Sequence, residues 1–186
     1  MRPVIRRARA DEAARVAALA ATLFEQAYGA THPEPGVAAY FARALAPERF
    51  AAELADPRAA VLVAEARDDV DPREKPSLVG YALLRDGPPD AHPNAPPLGA
   101  ARPLEIVRFY VDGAWHGRGV AQALMAACLD EAAARGADVV WLQAWREAAR
   151  PLAFYRKTGF VPFAEVRFDL GDRVDDDVLL ARRLDA

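Results

Sequence analysis

Apolar residues along the chain recur with two spacings, and each change of spacing marks an element. Val4–Arg7 has the short run of a strand, and Asp11 with Glu12 then opens a helix whose positive end meets two carboxylates. Val16, Leu19, Ala20, Leu23 and Phe24 recur at i, i+3, i+4, i+7 and i+8, one helix face turned to a core. After the turn-rich THPEPG at Thr31–Gly36, Val37–Leu45 and Pro47–Ala55 predict two shorter helices, the second with proline near its first position. The spacing then shortens to that of strands at VLVAEA (Val61–Ala66) and LVGYALL (Leu78–Leu84), joined as a hairpin by a charged, proline-containing turn.

The stretch from Asp86 to Pro103 is too rich in proline and glycine for regular structure and predicts a long loop, either functional or disordered. LEIVRFYV (Leu104–Val111) reads as a central strand. Gly119–Arg135 follows as a helix with Val120, Leu124, Ala127, Cys128 and Ala132 on its apolar stripe and Gly136 just past its end. VVWLQAW (Val139–Trp145) is the next strand. Strand, helix and strand in this succession require a parallel crossover, so the sheet is mixed. PLAFYRKTGF (Pro151–Phe160) predicts a short helix ended by Gly159, and VRFDL and VLLAR, either side of GDRVDDD, predict a terminal hairpin. The length fits one domain over residues 1–186.

Composition narrows the classes of function. A net charge of −3 argues against a general nucleic-acid binder, which carries a basic face. The single cysteine, Cys128, excludes an internal disulfide and, on the apolar side of a helix, reads as a buried inert thiol. His32, His92 and His116 are scattered, without ligand pairs of the HExxH kind, so no metal is expected. No stretch approaches the roughly 20 apolar residues of a membrane span, and MRPVIRRARADE lacks the apolar run of a secretory signal. The expectation is a cytoplasmic protein with no membrane partner.

Candidate chemistry begins at WHGRGVAQALM, Trp115–Met125, where Gly117 and Gly119 stand between a strand and a helix. Free N–H groups and the dipole at a helix start make an anion site there, although glycine that merely permits a tight turn looks the same. A Walker A loop needs Gly-Lys before Ser or Thr, which is absent, and a dinucleotide fingerprint needs a third glycine where Gln122 stands. His116, Gly117, Arg118, Gly119, Val120 and Ala121 instead resemble the Gln/Arg-x-x-Gly-x-Gly/Ala signature of the GNAT superfamily of N-acetyltransferases, with histidine in first place. AFYRKTGF (Ala153–Phe160) resembles the family's later AFYxKxGF element, and the order of elements resembles the family's over nearly the whole chain. LEIVRFYV with WHGRGVAQALM, and the closing FDLGDRVDDDV, are similar to the branch holding bacterial spermine and spermidine acetyltransferases.

The resemblance implies a mixed, mostly antiparallel α/β sheet of about six to seven strands flanked by helices. It also implies acetyl-CoA as co-substrate, with direct transfer to a primary amine in a ternary complex. It gives the CoA pyrophosphate to the loop of His116, Gly117, Arg118, Gly119, Val120, Ala121 and Gln122, and the pantetheine arm to the strand end at Phe109, Tyr110 and Val111. Tyr155 takes the place of the general acid, a phenol of pKa about 10 that can protonate the departing thiolate; a core aromatic beside Phe154 is the alternative. Glu105 stands on the strand where related enzymes carry a carboxylate that accepts the amine proton directly or through water. Strand alternation puts it on the face of Val107 and Phe109, opposite Ile106 and Tyr110, in an apolar setting that raises a carboxyl pKa. An ion pair with Arg108 or Arg102 is its alternative.

Arg118, Arg156 and Lys157 offer positive charge to the CoA phosphates. Ala148 departs from the family's pattern, which often has there an asparagine that touches the cofactor; Pro151 replaces a common alanine. A side-chain contact is lost at 148, whereas a backbone contact survives. Asp172, Asp175, Asp176 and Asp177 read as a solvated turn or as an attraction for a cationic amine, and Trp115, Trp141 and Trp145 as packing, with Trp145 also placed to wall an acceptor site. A small amine or polyamine is the favoured acceptor. A peptide acceptor and a non-catalytic acyl-CoA-binding sensor stay open, and the resemblance points to a homodimer.

Overall fold

A computed structural model describes residues 3–66, 76–89, 95 and 98–184. Among the described residues seven strands make one sheet: β1 (Val4–Arg7), β2 (Ala59–Ala66), β3 (Ser77–Asp86), β4 (Pro103–Val111), β5 (Val139–Trp145), β6 (Val161–Asp169) and β7 (Val174–Arg183). Their order is β1-β2-β3-β4-β5-β7-β6, and only β4 and β5 run parallel, with the crossover helix between them that the sequence predicts. Five helices flank the sheet: α1 (Ala13–Tyr28), α2 (Pro35–Ala44), α3 (Pro47–Ala55), α4 (Val120–Ala134) and α5 (Ala149–Lys157). The turn expected between β2 and β3 falls largely on residues 67–75, outside the described residues, as do 90–94, 96 and 97 of the loop before β4. His92 is among them.

Each face of the sheet has its own core. Leu104, Ile106, Val140, Leu142 and Leu180 meet Leu124, Met125 and Cys128 of α4 and Leu152 and Tyr155 of α5 on one face. Val61, Val63, Tyr81 and Leu83 meet Val16, Ala20 and Leu23 of α1 and Phe50 of α3 on the other. The predicted stripe of α4 is the buried one, and each of its large apolar side chains contributes about 1.5–3 kcal/mol by leaving water. Cys128 is buried as expected.

Strand regularity breaks at two places along β4. Opposite β3, Leu83 pairs with Arg108 but Leu84 pairs with Ile106, so Val107 is an extra residue in β4. Such a bulge shifts the alternation by one residue. Glu105 and Val107 therefore share a face with Tyr110, toward α1 and α3, whereas Phe109 and Val111 turn toward α4 and α5. This corrects the expectation that Glu105 and Phe109 share a face, which assumed unbroken alternation. The second break is that β4 and β5 pair only from Pro103–Ile106 to Val139–Leu142; beyond that the two parallel strands part.

The terminal hairpin also starts earlier than predicted. Asp175, Asp176 and Asp177 pair with Phe168, Arg167 and Val166 as part of β7, so they are strand residues and not a turn. Alternation buries Asp175 and Asp177, each 6% exposed, and leaves Asp176 in solvent.

Candidate active site

The parting of β4 and β5 leaves an opening bounded by the start of α4, by α5 and by the end of α1. Two glycines build the start of α4. Gly117 and Gly119 have φ of +78° and +81°, left-handed values that a side chain would strain, and Gly119 is the N-cap of α4. No side chain caps this helix, so the first-turn amides of Val120, Ala121 and Gln122 have no intrahelical or side-chain acceptor and are free to take an anion. His116 fixes the loop by hydrogen-bonding through Nε2 to the Val111 carbonyl at the end of β4, at 2.9 Å. Arg118 stands exposed, its guanidinium 5.1 Å from the Trp115 ring centroid.

Tyr155 lies on α5, its ring against Phe109 of β4 at 6.3 Å, Phe154 at 5.8 Å and Phe160 at 6.1 Å. Burial pushes its phenol well above the usual tyrosine value, and the Tyr28 and Cys128 groups add to the rise. It is held protonated at any physiological pH. Ala148 is the N-cap of α5; its carbonyl accepts from Leu152 N at 3.0 Å and its N–H donates to Trp145. Pro151 sits in the first turn of α5, where its missing N–H removes no intrahelical bond. Arg156 and Lys157 are exposed in the last turn, and among the described residues neither makes an ion pair.

Glu105 lies elsewhere. It stands in the part of β4 still paired with β5, beside Trp141, and on the face away from Tyr155. Four residues of strand separate it from Phe109, about 13 Å at the usual rise, so the structure does not bring Glu105 and Tyr155 together. Burial raises its carboxyl to about 7, against the opposing pull of Arg85 and Arg108. Neither predicted arginine pairs with it. The Arg108 guanidinium donates to the Ala44 carbonyl and lies over the Phe50 ring, and the neighbouring Arg85 is held by Glu53. On the same face, the Tyr81 hydroxyl and Arg108 Nη1 are buried without a hydrogen-bond partner among the described residues.

The far side of the opening was not legible in any local pattern. Tyr28, at the end of α1, packs its ring against Phe24, His32 and Tyr110 at 5.2, 5.1 and 6.4 Å. The His32 ring meets Trp145, the last residue of β5, edge-on at 4.9 Å, and its Nε2 donates to Asp175 Oδ2 at 2.7 Å. Asp177 lies opposite Trp145 in the sheet and accepts from Gln143 Nε2 at 2.6 Å. The carboxylates of Asp177 and Asp175 are near enough to the Tyr28 phenol to help burial raise it. The result is a cluster of aromatic rings with two buried carboxylates at the far side of the opening.

Comparisons with known proteins agree with this architecture. The acetyltransferase (GNAT) family profile matches residues 10–160. Uncharacterised N-acetyltransferases of Mycobacterium bovis and Mycobacterium tuberculosis are each 33% identical over 173 residues, 93% of this chain and 98% of theirs. Among solved structures, the PaiA N-acetyltransferase of Thermoplasma acidophilum in complex with coenzyme A superposes with a TM-score of 0.72 at 15% identity, covering 99% of this chain and 100% of that one. A GCN5-related N-acetyltransferase of Rhodopseudomonas palustris gives 0.70 at 23% identity, covering 99% and 97%. Among the described residues no helix is long and apolar enough to cross a membrane, and the fold is the mixed, mostly antiparallel one expected. With this profile over most of its length and relatives named as N-acetyltransferases along nearly all of it, the chain belongs to the GNAT family of acetyl-CoA-dependent N-acetyltransferases.

Proposed function

We propose that this enzyme acetylates a small cationic amine or polyamine by direct attack of the amine on acetyl-CoA in a ternary complex. The observation that carries the acceptor class is the cluster around Tyr28, where aromatic rings and the buried Asp175 and Asp177 suit a positive ligand. On the other side, the uncapped start of α4 suits the CoA pyrophosphate, through the amides of residues 117–122, with Arg118 and Lys157 adding charge. The free edge of β4 beyond Ile106, at Phe109–Val111, suits the amide groups of the pantetheine arm. CoA bound there supplies the acetyl group as a thioester. Ala148 has no side-chain contact to give, and its backbone already serves α5.

Tyr155 is the acid of the reaction: its phenol stays protonated and donates to the sulfur as the thiolate leaves. An amine arrives as an ammonium ion and must lose a proton before it attacks. Glu105, partly ionised near neutrality, is the proton acceptor, working through internal water and not by touch. The partnerless Tyr81 hydroxyl and Arg108 Nη1 on the same face support that route, because buried polar atoms of this kind are normally satisfied by ordered water. Mixing the protein with acetyl-CoA and a panel of polyamines, amino acids, aminoglycosides and N-terminal peptides, and measuring CoA release, tests the reading. Turnover confined to polyamines and small amines is expected; silence across the panel by a folded, CoA-binding protein counts against catalysis.

A further inference from the structure

The cluster around Tyr28 has one side that no single element builds. The connection between α1 and α2 and the hairpin between β6 and β7 meet there, and the residue at their meeting is Arg173. Its Nε donates to Asp175 Oδ1 at 2.6 Å, and its Nη1 donates to the Thr31 carbonyl at 3.0 Å and to Glu34 Oε1 at 3.2 Å. The same guanidinium lies 6.0 Å from the Trp145 ring centroid. The other oxygen of Asp175 holds His32, whose ring abuts both Trp145 and Tyr28. One cation thus reaches the Trp145 ring directly and the His32 ring through one carboxylate.

A second tie runs beside the first. The Gly36 amide donates to Asp172 Oδ2 at 2.8 Å, an approach so close that a Cβ at 36 would sit 2.5 Å from the Asp172 carboxylate. The hairpin therefore bonds to residues 31, 32 and 34 of the turn that precedes α2 and to Gly36 in its first turn. By contrast α2 has little hold of its own. Val37 is its one fully buried residue, and its other ties include the Phe41 ring on Phe24 and Tyr28, the Tyr40 ring on Phe168 and the Ala44 carbonyl to Arg108. A segment so placed takes much of its position from the hairpin.

We infer that Arg173 is a positioning residue for the acceptor site: by clamping residues 31–36 to the β6–β7 hairpin it sets His32, Trp145 and Tyr28 at the spacing that grips the amine. Stability alone would not call for such a network, since buried charges commonly do no better than an apolar contact of the same shape. Fixed geometry is what a forked guanidinium with three acceptors adds, and lysine cannot reproduce it. This inference rests on the proposed reading that the cluster around Tyr28 is the acceptor site.

Arg173→Met and Arg173→Lys test it, with acetylation kinetics for the best amine of the panel, CoA titration and amide hydrogen exchange measured on each. Both variants are expected to bind CoA like the parent. In Arg173→Met the KM for the amine should rise about tenfold or more, the factor given by one lost charged hydrogen bond. Its kcat and its KM for acetyl-CoA should stay within about twofold, the split expected of lost binding alone. Exchange across residues 31–41 should quicken while β2 and β4 keep their protection, and Arg173→Lys should fall between parent and methionine variant. An unchanged amine KM together with unchanged exchange would overturn the inference, as would an equal loss for both substrates with weakened CoA binding. If the parent acetylates no amine, the proposed function fails, and the exchange comparison decides the clamp by itself.

Discussion

Glu105→Gln gives the sharpest test of the β4 face. A carboxyl raised from 4.5 to about 7 costs the folded state about 3 kcal/mol when it ionises. The sign comes from linkage. Below about pH 4.5 the group is neutral in folded and unfolded chains alike and contributes nothing. Between about 4.5 and 7 the folded chain holds the proton and the unfolded chain does not, so stability falls as pH rises; above about 7 the full penalty stands. Glutamine keeps the shape and the neutral hydrogen-bonding capacity without the charge. Its own buried amide offsets part of the gain, as does the loss of attraction to Arg85 and Arg108, so a net stabilisation of about 1–2 kcal/mol at pH 8 is expected.

Urea unfolding of both proteins at pH 4.5, 6 and 8 reads this directly. The two curves should nearly coincide at the lowest pH and separate as pH rises, the variant being the more stable at pH 8. A variant less stable than its parent at pH 8 would refute the reasoning, because it would mean that Arg85 and Arg108 hold the carboxylate ionised and that burial does not dominate. The same substitution bears on catalysis. If Glu105 receives the amine proton, kcat/KM of the parent should climb through about pH 7, where the group titrates, and the variant should lose that limb together with about 10²–10⁴ in rate.

Four further outcomes are expected. Tyr155→Phe keeps the ring packing on Phe109, Phe154 and Phe160, so calorimetry should show CoA affinity preserved while kcat falls about 10²–10⁴. Gly119→Ala meets no steric obstacle but must hold φ near +81°, which should cost about 1–2 kcal/mol in denaturant melts and raise the Kd for CoA. Asp177→Asn should raise the KM of a diamine more than that of a monoamine at low salt, and the gap should close as ionic strength rises. Cys128, buried and with its thiol pushed well up, should resist thiol reagents in the folded protein and react only in denaturant.

The CoA side of the site was legible in the sequence because its coding is local. Gly117 and Gly119 fall within three positions, the helix they open is announced by its own apolar stripe, and Tyr155 rides in an eight-residue element. Backbone amides are the groups proposed to do the binding there, and a backbone conformation can be read from the residues that permit it. The fold was legible for the same reason, down to the parallel crossover. On the acceptor side the coding is long-range. His32 and Asp175 are 143 positions apart, and neither has neighbours in the chain that foretell the pairing. The four acidic residues looked like a turn because Arg173 and Asp172 beside them favour solvent, and only the register with β6 shows that Asp175 and Asp177 turn inward.

The bulge at Val107 extends the same long-range coding to mechanism. Simple alternation puts Glu105 beside Phe109, on the face of the cofactor strand end, where a carboxylate could meet the amine directly. One extra residue in β4 moves it to the face of Tyr81, Arg108 and Tyr110 and turns Phe109 toward Tyr155. The bulge thereby separates the two groups proposed to handle protons, Tyr155 on the α5 face and Glu105 on the α1 face. Such a separation suits a reaction in which the amine gives up its proton before it attacks and the thiolate takes one up as it leaves, two transfers at different atoms that need an acid and a base which do not neutralise each other.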